Sequence, residues 1–111
     1  MLSIPDFQKI VHELPDITEG PHQQNLAYRV NKKIFATLNA GEHRACVKLS
    51  AVDQDVFCLF DKTVIYPVPN KWGIHGWTLI NLKKVKKAML MDALRAAYDL
   101  ASGNKETSKT G

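Results

Sequence analysis

An α+β fold is predicted for this 111-residue chain: a single antiparallel sheet of about five strands, N-terminal and C-terminal helices packed on one of its faces, and a short middle helix. Three observations carry the prediction. Apolar residues recur at helical spacing near the two ends of the chain and once in the middle. Between those segments lie short stretches that alternate apolar and polar residues at period two. The strands follow one another without the regular interleaved helices that a parallel sheet needs, so helices and strands are segregated.

Ser3 is the natural N-cap of the first helix, with Pro5 tolerated in the first turn and Asp6 favourable at the positive end of the dipole. Phe7, Ile10, Val11 and Leu14 form one apolar stripe and Pro15 ends it, leaving His12 and Glu13 toward solvent. Asp16 to Gln24 contains Gly20-Pro21 and no periodicity, so it reads as a loop. Leu26, Tyr28 and Val30 then alternate with Ala27 and Arg29, and Ile34, Ala36 and Leu38 resume the alternation beyond Asn31-Lys32-Lys33. A three-residue turn brings both apolar sets to one face, whereas a two-residue turn would pair Tyr28 with Phe35 and split them, so the longer turn is expected.

Ala45, Val47 and Leu49 supply the inward set of a third strand, and Ser50 caps a short helix with Asp53 three residues on. Val52, Val56, Leu59 and Phe60 are the expected buried stripe of that helix. Thr63 to Tyr66 reads as a fourth strand and Trp77 to Ile80 as a fifth, with Trp77 expected in the core. The connection between them holds both tryptophans, two prolines and two glycines; its prolines cannot donate to a ladder and belong at a strand end or edge. The last helix starts between Lys83 and Lys87 and runs to about Ser102, where Gly103 stops it. One domain over residues 1–103 is expected, followed by a polar tail, 104–111, without apolar anchors.

A chain of this length buries a self-sufficient core without disulfide or metal. Two cysteines, Cys46 and Cys58, make no zinc set and read as reduced, partly buried side chains. No apolar run approaches a membrane span, and the N-terminus lacks a signal pattern, so a cytoplasmic protein without membrane contact is expected. Catalysis finds no glycine-rich phosphate cradle, nucleophile elbow or HExxH pattern, and His12, His22, His43 and His75 are scattered. The expectation is a protein that is not an enzyme, uses no cofactor and binds no metal.

The net charge is +4, and its excess lies in residues 62–91, which hold Lys62, Lys71, Lys83, Lys84, Lys86 and Lys87 and no acid. An anionic partner, double-stranded DNA in the first place, is the expectation that this span raises, set against an ordinary solvated lysine face. Candidate contacts are Lys32 and Lys33 at the hairpin tip, Asn70, Lys71, Trp72 and His75 in the connection, and Lys83, Lys84, Lys86 and Lys87 before the last helix. Lysines would meet phosphates, and an exposed Trp72 could stack on a base. The alternative is a protein-interaction or small-ligand groove built around Trp72 and His75. The chain is expected to act as a monomer.

With these residues in view, the sequence resembles the MmcQ/YjbR-like family of small bacterial proteins over about residues 3–101. The resemblance rests on Lys33-Ile34-Phe35-Ala36, on Val47-Lys48-Leu49-Ser50, on Pro69-Asn70-Lys71-Trp72-Gly73 with Gly76-Trp77-Thr78, and on Asp92 to Tyr98. It implies a frataxin-like α+β domain and DNA binding by a double wing, in which two hairpin loops straddle the duplex. Asn31, Lys32 and Lys33 would be the first wing, and Asn70, Lys71 and Trp72 the second. The segment between the short helix and the tryptophan strand is shorter here than in many relatives.

Overall fold

The computed structural model describes residues 1–103; the expected tail over 104–111 lies outside them. The elements run α1 (Ile4–His12), β1 (Thr18–His22), β2 (Asn25–Val30), β3 (Lys33–Asn39), β4 (Arg44–Lys48), α2 (Ala51–Phe57), β5 (Ile65–Pro67), α3 (Lys71–Ile74), β6 (Trp77–Asn81) and α4 (Lys87–Ser102). The fold is α+β, with one sheet of six strands in the order β1-β2-β3-β4-β6-β5, every pair antiparallel. The additional strand is β1, in the segment expected to be a loop. Gly20-Pro21 hides it from pattern reading, and a proline is tolerated there because β1 is an edge with one neighbour.

One sheet face is the core. Its rows are Leu26, Leu38, Ala45, Ile80 and Ile65, and Tyr28, Ala36, Val47 and Thr78, each read across paired strands. α1 lays Phe7, Ile10 and Val11 on it, with the Phe7 ring edge-on to Tyr28 at 5.8 Å. Ser3 caps α1 by accepting the Asp6 N–H, as its sequence predicts. α4 lies across β2, β3 and β4 and buries Leu90, Ala93, Leu94, Ala97 and Tyr98. Each fully buried large apolar side chain of this set contributes roughly 1.5–3 kcal/mol, so the two helices and the sheet are mutually dependent.

The β2–β3 hairpin departs from the expected three-residue turn. Val30 pairs with Lys33, so only Asn31 and Lys32 form the loop, both at positive φ (54° and 66°). That is the backbone a two-residue hairpin requires. The apolar sets still share the core face because the register shifts between Tyr28 and Arg29: Arg29 faces Ile34, Tyr28 faces Ala36, and Phe35 is the extra residue. The bulge turns Phe35 inward, where it is fully buried and edge-on to Tyr98, and leaves Ile34 half-buried on the other face.

The expected stripe of the middle helix is also different. α2 ends at Phe57, so Leu59 (82%) and Phe60 (65%) fall in the turn beyond it, and they are exposed, as are Val52 (70%) and Val56 (50%), rather than buried. What fastens α2 is the opposite side, where Phe57 packs against the core and the Gln54 amide donates to Gly73 O (2.9 Å) and Thr78 Oγ1 (3.1 Å). Among the described residues no helix is long and apolar enough to cross a membrane.

Candidate nucleic-acid interface

Away from the helices, the second sheet face is open. Its central row is Ala27, Thr37, Cys46, Leu79 and Tyr66, flanked by Arg29 and Ile34 on one strand pair and Lys48 and Trp77 on another. Strands β2 to β6 carry Arg29, Lys33, Arg44 and Lys48 and no carboxylate. Of these cations Arg44 is paired, with Glu42. Trp77 stands on this open face, half-buried, instead of in the core, because its partner in the ladder is outward-facing Lys48. The Lys48 ammonium lies 5.9 Å from the indole centroid, within cation–π range.

One end of the sheet gathers the two candidate wings. There the strand ends run Val30, Lys33, Lys48, Trp77 and Pro67, so the β2–β3 tip lies to one side of Lys48 and the β5–β6 connection to the other. The connection is shaped by a short helix: Asn70 caps α3 by accepting the Trp72 N–H at 2.9 Å, and the turn ends at His75. Gly73 is needed because a Cβ would strike the Val68 carbonyl. Gly76 is needed because its φ is +100° and a Cβ would strike the Leu49 carbonyl. In that tight approach Leu49 N–H donates to Gly76 O at 2.9 Å, which locks the connection against the end of β4. Trp72 is consequently held outward, 53% exposed, with its ring edge-on to His75 at 6.4 Å.

Two depressions meet at this end. One, about 480 Å³, lies on the open face and is lined by Thr37, Cys46, Val68 and Trp72 among others. The second, about 700 Å³, runs around the end of the sheet beneath the last turns of α4 and is lined by Lys33, Lys48, Leu49, Ile74, His75 and Leu100 among others. Ile34 and Trp77 line both. Burial pushes the Cys46 thiol up to about 11, a hydrogen bond from Thr78 and the Arg44 charge opposing it only in part, so the thiol is neutral at ordinary pH. Among the described residues no group of three His, Cys, Asp or Glu is placed to hold a metal ion.

The lysines of the β6–α4 segment are elsewhere. α4 runs from Lys87 back toward the wing end, where the Asn31 amide donates to Ser102 O at 3.3 Å. Its 16 residues span about 24 Å, so Lys83, Lys84, Lys86 and Lys87 stand at the far end of the molecule from Lys32 and Lys33. They also have acidic neighbours. Lys84 contributes to holding the Asp61 carboxyl below its usual range, behind the larger effect of the hydrogen bonds from Thr63, and Lys87 shares a depression with Asp6 and Glu13. The predicted contact set thus divides into Lys32, Lys33, Asn70, Lys71, Trp72 and His75 at one end and the four later lysines at the other. Sequence reasoning passed over Lys48 as a contact candidate. Its signal was present, because it sits between inward-facing Val47 and Leu49.

Comparison with known proteins agrees with this fold. The model of the YjbR family matches residues 12–100. The crystal structure of Deinococcus radiodurans protein DR2400, with a domain of the DUF419 family model, superposes with a TM-score of 0.77 at 21% identity, covering 90% of this chain and 78% of that one. No curated protein matches the chain. The matched span takes in every strand, both wing loops and nearly all of α4, and on that ground the chain belongs to the YjbR family.

Proposed function

We propose that the protein is a non-catalytic nucleic-acid-binding module that grips double-stranded DNA with the wing end of its sheet. The observation that carries the reading is the convergence of Lys32 and Lys33 on one side and Lys71 and His75 on the other, with Lys48 between them and no carboxylate on strands β2 to β6. The two loops are separated by three strand spacings, about 14 Å at 4.7–4.9 Å each. That is close to the ~12 Å width of a B-DNA major groove, so loop cations could reach phosphates on its two sides. Half-exposed Trp72 adds a flat apolar surface beside a cation, suited to a base or sugar edge. The acidic neighbours of Lys84 and Lys87 favour the wing end over the later lysines as the phosphate-contacting surface.

The contacts in this reading are to the DNA backbone, which positions a protein but carries little sequence information, so weak sequence selectivity is part of the proposal. Two free thiols, Cys46 and Cys58, are consistent with a reducing cytoplasmic setting. Binding of a fluorescent duplex measured against salt tests the reading. The expected result is measurable affinity at low salt that falls steeply as salt rises; a flat or absent response overturns it.

A further inference from the structure

We infer that the cleft beneath the end of α4 is a binding site for a small amphipathic anion, a carboxylate, sulfonate or phosphate carried on an apolar body. Its volume, about 700 Å³, lies inside the ~300–1,000 Å³ range of small-molecule pockets. The walls separate by chemistry. Ile34, Leu49, Ile74, Trp77 and Leu100 give an apolar lining, while Lys33, Lys48 and His75 supply the polar lining together with Ser50. Among the described residues no carboxylate lines the cleft, in a molecule whose other lysine group has acidic neighbours. A neutral apolar ligand would leave the ammonium groups without a counter-charge, and a bare inorganic anion would leave the apolar wall wet. An amphipathic anion satisfies both.

The wall is also built to stay in place. Leu49 is fully buried, the Leu49 N–H bond to Gly76 O fixes the α3 connection beside it, and Lys48 is seated over Trp77. The negative carbonyl end of α4 nearby is blunted by the Asn31 bond to Ser102 O and by Gly103 at φ +85°, whose N–H bonds to Asp99 O.

This site goes beyond duplex binding and stands or falls without it, since its test contains no nucleic acid. The probe is 1-anilinonaphthalene-8-sulfonate, followed by fluorescence and calorimetry against full-length protein, with uncharged N-phenyl-1-naphthylamine as its neutral counterpart. The expected result is saturable one-to-one binding, at least fivefold tighter for the sulfonate. In Lys33→Gln/Lys48→Gln that charge preference disappears. Ile74→Glu, at a position 83% exposed and therefore tolerant, places a carboxylate at the cleft mouth and weakens the sulfonate at least tenfold. The exposed face of α2 is a competing place for the dye, so Val52→Lys/Leu59→Lys is the control and should bind as the parent does. The inference is overturned if no saturable binding occurs, if the neutral probe binds as well as the sulfonate, or if the α2 variant abolishes binding while Ile74→Glu does not.

Discussion

Lys48 and Trp77 face each other across the β4–β6 pair on the open side of the sheet, with the ammonium 5.9 Å from the indole centroid. The ladder register turns Trp77 away from the core and places the Lys48 cation midway between the two wing loops. Lys48→Gln should therefore leave the fold intact, since Lys48 is only half-buried, and reduce the slope of log K against log salt for a duplex by about 1 if one phosphate contact is lost. Indole fluorescence should change in the same variant, because the charge over Trp77 is gone.

Gly76→Ala tests the lock between the wing connection and β4. The new methyl group meets the Leu49 carbonyl at a φ of +100°, so either the Leu49–Gly76 hydrogen bond breaks or the backbone is strained. A loss of roughly 2–4 kcal/mol is expected, and at ~4–8 °C per kcal/mol for a domain of this size the Tm should fall by about 10 °C or more.

Tyr28 points the other way. Its hydroxyl is buried and, among the described residues, makes no hydrogen bond of good geometry, although the Gln8 and Glu19 side chains stand beside it, while the ring packs edge-on against Phe7 and His12. Removing an unsatisfied buried polar group while keeping the ring should be neutral or stabilising, by up to about 1 kcal/mol, so Tyr28→Phe is expected to raise the denaturant midpoint slightly. A loss above about 1 kcal/mol would show that the hydroxyl makes a bond in solution.

Alkaline stability follows from Cys46. Burial raises its thiol from 9.0 to about 11, so the folded chain holds that proton more tightly than the unfolded chain does. The unfolded state therefore releases it first, and the stabilisation that is complete below pH 9 is lost as pH rises towards about 11. Tyr28, raised from 10.0 to about 12 chiefly by burial, extends the decline to higher pH. Thermal melts between pH 8 and 11 should shift downward by several degrees, and Cys46→Ser should flatten the first part of that decline.

Much of the fold was legible because its signals are local: the Ser3 cap, the stripe of α1, the Gly103 stop and the alternation of β2 to β4 each depend on a few neighbouring residues. Besides β1 and the outward face of Trp77, three features were not. The Phe35 bulge answers a conflict between a two-residue turn and a shared apolar face, a conflict that period-two alternation by itself resolves only with a longer turn. The α2 stripe has proper helical spacing, yet spacing shows only that a face is apolar and not that anything covers it; the Gln54 anchor on the other side decides the orientation. The candidate surface was half visible. Linear charge counting gathers the later lysines with Lys71 because they are near in sequence, whereas β6 carries the chain from the wing end to the far end before they occur, and α4 returns only after them.

The exposure of α2 gives a direct check. Val52→Lys/Leu59→Lys should change stability by no more than about 0.5 kcal/mol per site, where a buried stripe would lose several kcal/mol. Urea midpoints of the parent and the double variant decide between these.

The central claim is that the wing end, and not the later lysine cluster, contacts DNA. Two variants, Lys32→Gln/Lys33→Gln/Lys48→Gln and Lys83→Gln/Lys84→Gln/Lys86→Gln/Lys87→Gln, are compared for duplex affinity at one low salt concentration. The account predicts at least a tenfold loss for the first and less than about a threefold loss for the second, although the second removes more charge. A larger loss in the second, or equal losses in proportion to charge, would contradict it.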